Sequence, residues 1–321
     1  MERFVVGTGR CGSTLLSLML AEHCDVVSIH EFFTGLDWSR RFTHELVAGD
    51  ELADLIGAEQ PVTTAVLARG HTSDEIQYPF GSPTARHAAG DPVPWLAITM
   101  LSRLTDDPDA WYDEMMQFAR ARPRAPMADH YRALFAWVTD KVGARVWIER
   151  SGSSIDYLGD LAELYPAARF VHIHRDGHEA ALSIREHPFF RLGVCLLLDL
   201  FPDMDDPEDA VTQVIDTAPP CWAVGRYWSD QVLRGFRALP QLDRDQFLHV
   251  RFEDLVTAPE AELTRIATFF ELADDRDFLA SARARVRGLP ATRYGALSPD
   301  DQAELRSECR PGQILLGRAD P

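Results

Sequence analysis

The first residues whose spacing could do chemistry are Gly7–Thr14, GTGRCGST, set between an apolar run and a helical pattern. Glycines permit tight backbone curvature, so successive N–H groups can face an oxyanion while the following helix adds a favourable dipole. Ser13 and Thr14 add hydroxyls at the helix start. Gly9, Arg10, Cys11, Gly12, Ser13 and Thr14 are therefore candidate phosphate ligands. The competing reading is a glycine-rich strand-to-helix turn in which Ser13 only caps the helix. A nucleotide-hydrolysing loop would carry lysine where Ser13 stands, so ATP or GTP hydrolysis by that route is disfavoured. The cation comes earlier, at Arg10.

Such a loop needs a strand before it and a helix after it. Phe4–Val6 reads as a buried strand, and residues 13–23 as a helix with an apolar face of Leu15, Leu16, Leu18, Met19 and Leu20. Further strands are expected at Val26–Ile29, Arg145–Ile148, Ala168–His174 and Phe247–Arg251. Helices are expected at 155–165, 222–239 and 259–271. Asp176 and Glu179 offer a capping box for a helix running to about Glu186. Helical patterns within 45–140 are broken near 79–83, 90–94 and 123–126. The acidic, proline-interrupted stretch 199–220 reads as a loop, and 283–321, rich in Arg, Gly and Pro, as a surface wrap. Strands alternating with helices imply an α/β fold, a three-layer α/β/α arrangement with a mainly parallel central sheet. One domain over 1–321 is the simplest organisation.

Composition limits the partners. The 50 acidic and 32 basic residues leave a formal net charge of −18, which excludes a nucleic-acid polyanion but not a small anion held by local arginines. Five cysteines with no C-x-x-C pair suggest reduced thiols in the cytoplasm. No signal peptide is expected, and the longest apolar run, Val194–Leu198, is too short to span a membrane. The 11 histidines form no metal-ligand pattern, and His172 and His174 read as structural. No metal is expected.

GTGRCGSTLL resembles the 5′-phosphosulfate loop of sulfotransferases that use PAPS (3′-phosphoadenosine-5′-phosphosulfate), whose fold is related to that of P-loop kinases. A companion element of that family is a strand ending in Arg and followed by a helix with Ser eight positions on. ARFVHIHRDGHEAALSIREH matches it, with Arg175 and Ser183. Arg175 falls at a strand's carboxyl end, where open α/β sheets bind ligands, and Ser183 about two turns into the helix. The two could converge on one phosphate. Taken alone, they would read as a surface arginine and a helical serine. FLHVRFEDLVTAPEAELTRIATFFEL (247–272) resembles the family's late strand–loop–helix, with Phe252 where tyrosine is usual; Arg251, Glu253 and Asp254 are assigned to fold support.

The resemblance also implies catalytic groups. Glu31, in SIHEFF, lies 21 residues after Arg10, an offset similar to that of the glutamate base in tyrosylprotein sulfotransferases. His30 is the rival base, since cytosolic relatives use histidine. Arg150, in WIERSGSS, resembles the family cation that contacts the sulfuryl group, with Arg for Lys and Gly152 where proline is common. A salt bridge to Glu149 is its alternative role. Tyr227 or Trp228 is expected to stack on adenine, unless it packs the core. Arg293 and Tyr294 resemble the loop that closes over the donor.

The expected reaction is sulfuryl transfer from PAPS to a hydroxyl of a small-molecule, lipid or glycan acceptor, releasing PAP. Glu31 is the base, and Arg10 and Arg150 the electrostatic catalysts. A small-molecule kinase and a non-catalytic nucleotide-binding protein are the alternatives. Segments 45–140 and 190–220, which match the family least, are expected to shape the acceptor site. They and the Glu31 turn hold Phe32, Phe33, Trp38, Phe80, Trp95 and Trp111, which could line an apolar cleft or pack the core.

Overall fold

The computed structural model describes residues 1–204, 206–273, 275 and 277–319. Five parallel strands form the central sheet: β1 (Arg3–Val6), β2 (Val26–His30), β3 (Val146–Arg150), β4 (Arg169–His174) and β5 (Phe247–Arg251). Their order is β2-β3-β1-β4-β5. Side chains alternate across a strand, so a strand covered on both faces must be apolar throughout. The short run FVV meets that demand. Phe4 and Val6 pack with Val27, Ile29 and Phe170 under the Met127–Val142 and Leu158–Leu164 helices. Val5 packs the other way, with Ile148, Val171 and Ile173, under the Ser13–Leu20 and Pro259–Phe269 helices. This is the expected three-layer α/β/α fold.

The expected strands all form, with ends displaced by at most two residues at β3. At 176–185 the capping box is half realised. Asp176 accepts from the Glu179 N–H at 3.1 Å, but the Glu179 carboxylate turns outward to the Arg293 and Tyr294 N–H groups at 2.8 and 3.0 Å. The Asp176 N–H goes instead to Glu253.

Two expectations fail. Within 199–220, Pro207–Asp216 is a helix: Asp206 caps it, Pro207 takes the first turn, and Glu208 and Asp209 complement its dipole. The acids that suggested a loop are its N-terminal signal. In the C-terminal stretch, Pro299–Leu315 is a helix capped by Ser298, and it packs along Cys221–Ala238 instead of wrapping the surface. Gly312 is the reason for the close approach, because a Cβ there would lie 2.7 Å from the Trp228 ring. Trp228 is accordingly core. A third helix, Pro188–Leu197, enters the 190–220 segment expected to shape the acceptor site. No helix among the described residues is long and apolar enough to cross a membrane.

Candidate active site

Four parallel strands end at the carboxyl edge of the sheet, and each delivers one candidate group there: the Gly7–Thr14 loop after β1, Glu31 after β2, Arg150 at the end of β3, and Arg175 after β4. This edge is where open α/β sheets bind ligands. The loop curls left-handed at Gly9, Arg10 and Gly12, with φ of 72°, 52° and 96°. Glycine is required at Gly12, where a Cβ would lie 2.2 Å from the Phe252 ring. Gly12, not Ser13, is the N-cap residue, and Ser13 is the first helical residue. The N–H groups of Gly9, Arg10 and Gly12 have no backbone acceptor among the described residues. That leaves an anion-binding nest at a helix N-terminus.

Arg10 reaches across to donate from Nε to Ser183 Oγ at 3.2 Å. Arg175 sits over the Phe252 ring at 5.2 Å. Its Nη2 lies 3.9 Å from Glu179, and burial pushes its pKa down. The loop, Arg175 and Ser183 thus share one cavity of about 550 Å3, within the range of small-molecule sites. Cys11 does not line this cavity: its thiol is fully buried against the core, and burial raises its pKa.

Glu31 and Arg150 form a buried ion pair on the same cavity wall. Glu31 Oε1 accepts from Arg150 Nη1, and Oε2 accepts from Thr34 Oγ1 at 2.6 Å and from the Gly152 N–H at 2.8 Å. Proline at 152 would remove that last donor. Glu31 itself is left-handed at φ 53°. It is locked there by its N–H to Arg150 O and by the Trp95 indole donating to its carbonyl. A strained, over-determined residue of this kind is a mark of functional positions. Arg150 also donates to Thr14 Oγ1 at 3.0 Å and contacts His30 Nδ1 at 3.2 Å. Glu149 is not its partner. Strand alternation sends Glu149 to the opposite face, where it accepts from Ser151 and burial pushes its pKa up to about 8.

A model of the sulfotransferase family matches residues 97–276, more than half of the chain. The chain belongs to the sulfotransferase family. The sulfotransferase domain from the Synechococcus PCC 7002 olefin synthase is similar in fold, at 18% identity and a TM-score of 0.50, over 100% of this chain and 95% of that one. The sulfotransferase domain from the curacin biosynthetic pathway gives 14% and 0.50, over 100% and 99%. Comparison with curated proteins returns no match.

In this sulfotransferase, Tyr227 lines the cavity, and burial pushes its phenol up to about 12. Arg293 is absent from the cavity wall. It is turned to Glu186 at 2.9 Å, and its backbone N–H is fastened to Glu179. His30 is absent as well: it packs behind Arg150 against Ser17, and burial with Arg150 drives its pKa well below the ordinary value. Of the candidate cleft aromatics, Trp38 and Trp95 line the cavity, while Phe32 and Phe33 are core. Phe80 packs on Tyr78, and Trp111 on Trp137. Away from this cavity, His23, Cys24 and Asp25 bring three potential ligand atoms within 4.8 Å. Both His23 nitrogens are already hydrogen-bonded, to Ala273 O and from the Asp25 N–H.

Sequence reasoning missed Glu75 and His187. Glu75 Oε1 lies 3.7 Å from Arg10, and Oε2 lies 4.0 Å from His187 and has no hydrogen-bond partner among the described residues. Burial raises the Glu75 pKa, but Arg150, Arg10 and His187 outweigh it and leave the net shift downward. His187 is lowered to about 4, by burial first and then by Arg10. Neither belongs to a motif, since both are brought in by segments outside the sheet.

Proposed function

We propose that the chain transfers a sulfuryl group from PAPS to an acceptor hydroxyl and releases PAP. The observation that carries this is the Arg10–Ser183 contact, which joins the two halves of the donor-site motif beside Arg175 in one cavity with Glu31 and Arg150. Two anion-binding groups suit a donor phosphorylated at two separate positions, and Ser13 in place of the lysine argues against a kinase. Gly9, Arg10, Gly12, Ser13 and Thr14 hold the phosphosulfate end; Arg175 and Ser183 hold the second phosphate. Tyr227 offers its ring to the adenine.

Glu31 takes the acceptor proton. Its carboxylate is oriented by Arg150 at Oε1 and by Thr34 and the Gly152 N–H at Oε2. The acceptor oxygen then bonds to sulfur as the sulfur–oxygen bond to the donor's phosphate breaks in line. Arg10 and Arg150 stabilise the charge that gathers on the sulfuryl oxygens and the leaving phosphate, an electrostatic role aimed at the transition state. Arg293 belongs to the loop beside the donor, tied down through Glu179. Residues 1–321 act as one domain, in which segments 45–140 and 190–220 build the acceptor side. The five free thiols fit a reducing, cytoplasmic setting.

Calorimetric titration with PAP, against ATP and without added metal, tests the donor site: PAP is expected to bind and ATP not to. Glu31→Gln is expected to retain PAP binding and lose about 10²–10⁴ in turnover. Wild-type turnover in that variant would remove Glu31 as base.

A further inference from the structure

The helix Pro188–Leu197, PFFRLGVCLL, is apolar on two faces. One face is accounted for: Leu192 and Cys195 are buried against Val66, Val214 and Ile215. The other carries Phe189, Phe190, Gly193, Leu196 and Leu197, all on the wall of the catalytic cavity. Leu196 is 56% and Leu197 50% exposed, and Trp38, on the same cavity, is 61% exposed. Exposed apolar side chains gathered at one cavity mouth are a binding feature, unlike the same residues scattered singly.

Gly193 shows that the space continues to the helix backbone, because a Cβ added there meets no atom within 4 Å. The inner end of this face is Phe190, whose Cζ lies 2.7 Å from where a Cβ on Gly9 would be. The apolar face therefore begins at the loop that carries Arg10 and runs outward to Leu197, about 10 Å along the helix. An occupant of that track has its inner end at the loop that carries Arg10, in the cavity that Glu31 and Arg150 also line, which makes its hydroxyl the candidate to react. Polar groups nearby are partly committed. Gln60 Oε1 accepts from the Thr63 N–H at 2.6 Å, and Asp156 is paired with Arg234.

Resting on the function proposed above, we infer that the acceptor is an alcohol with an extended hydrocarbon portion, laid along the Phe190–Gly193–Leu197 face. Each methylene buried on that face contributes about fourfold in affinity, and the increment stops where the face ends.

The test is titration of the protein, with and without PAP, with 1-butanol, 1-hexanol, 1-octanol and 1-decanol, and with glucose as the polar comparison. Affinity is expected to rise about fourfold per methylene to a plateau, with glucose weakest. Gly193→Leu, whose Cβ meets no atom within 4 Å, is expected to weaken 1-octanol at least tenfold while PAP affinity is retained. Leu197→Gln, at a half-exposed site that places no demand on folding, is expected to weaken 1-octanol several-fold. Affinity that does not change with chain length, glucose binding as tightly as 1-octanol, or 1-octanol unaffected in both variants overturns the inference. PAP binding without the chain-length dependence would sink this inference alone. Absence of PAP binding would sink the donor site, and the acceptor assignment with it.

Discussion

Arg150 and Glu31 have side chains only 2% and 6% exposed, so the pair is a buried one, and its removal from either side is unequal. Arg150→Met strands three acceptors at once: Glu31 Oε1, His30 Nδ1 and Thr14 Oγ1. Leaving a buried charge without its partner costs about 3–5 kcal/mol. Glu31→Gln is milder. Its amide oxygen can keep Arg150, but its NH2 then faces the Gly152 N–H, donor against donor. That mismatch costs about 1–3 kcal/mol. The double variant buries neither charge, its amide can turn its oxygen to Gly152, and the combined loss should be smaller than the sum by about 2 kcal/mol or more. Urea unfolding followed by tryptophan fluorescence, at a shared slope, measures all four corners of the cycle. Arg150→Met within about 0.5 kcal/mol of wild type, or strict additivity, would refute a coupled buried pair.

Arg10→Ala and Arg175→Ala should each weaken PAP by about 1.5–3 kcal/mol, the worth of a charge-assisted hydrogen bond, read by calorimetry; unchanged affinity in both would remove the donor-site assignment. Glu75→Gln should tighten PAP several-fold, since it removes a carboxylate 3.7 Å from Arg10, and weaker binding would show that Glu75 supports the site. Burial, and then Arg10, hold His187 at about 4, below the ordinary 6.5 of an unfolded chain. The native state therefore binds fewer protons between those values. The contribution of His187 is full above pH 6.5 and declines as pH falls toward 4, by up to roughly 3 kcal/mol. His187→Gln should flatten that part of the stability profile, measured as urea midpoint against pH.

What could be read in the sequence is what a single strand or turn encodes. FVV, buried on both faces, and GTGRCGST after it are local signals, and so are the strand ends that deliver Glu31, Arg150 and Arg175. The misreadings have a common physical source. In 206–216 the acids and Pro207 are N-terminal helix signals that also look like a loop. In 299–315, Pro311 and Gly312 look like breakers, yet Gly312 is what lets the helix seat on Trp228. A residue whose purpose is close approach to a distant helix carries no mark of that purpose in its own neighbourhood. Glu75 and His187 are hidden for the same reason, since only the tertiary fold brings them to Arg10.

Carboxylates explain how the cavity holds Arg10, Arg150 and Arg175 together. Arg150 has Glu31, Arg10 has Glu75 at 3.7 Å, and Arg175 has Glu179 at 3.9 Å. Without such partners, desolvated cations would repel one another. The three pairs are not equivalent. Glu31 is held by Arg150, Thr34 and Gly152 together, whereas Glu75 and Glu179 each keep one buried oxygen with no hydrogen-bond partner among the described residues. The two loose pairs belong to Arg10 and Arg175, the cations assigned to the donor's phosphates; the tight pair belongs to the group assigned to the acceptor proton. Neither Glu75 nor Glu179 hydrogen-bonds the arginine it faces, so a bidentate phosphate can take its place there, while the Glu31–Arg150 geometry stays as it was. Under the proposed function, donor binding exchanges counter-ions at Arg10 and Arg175 and leaves the catalytic pair in place.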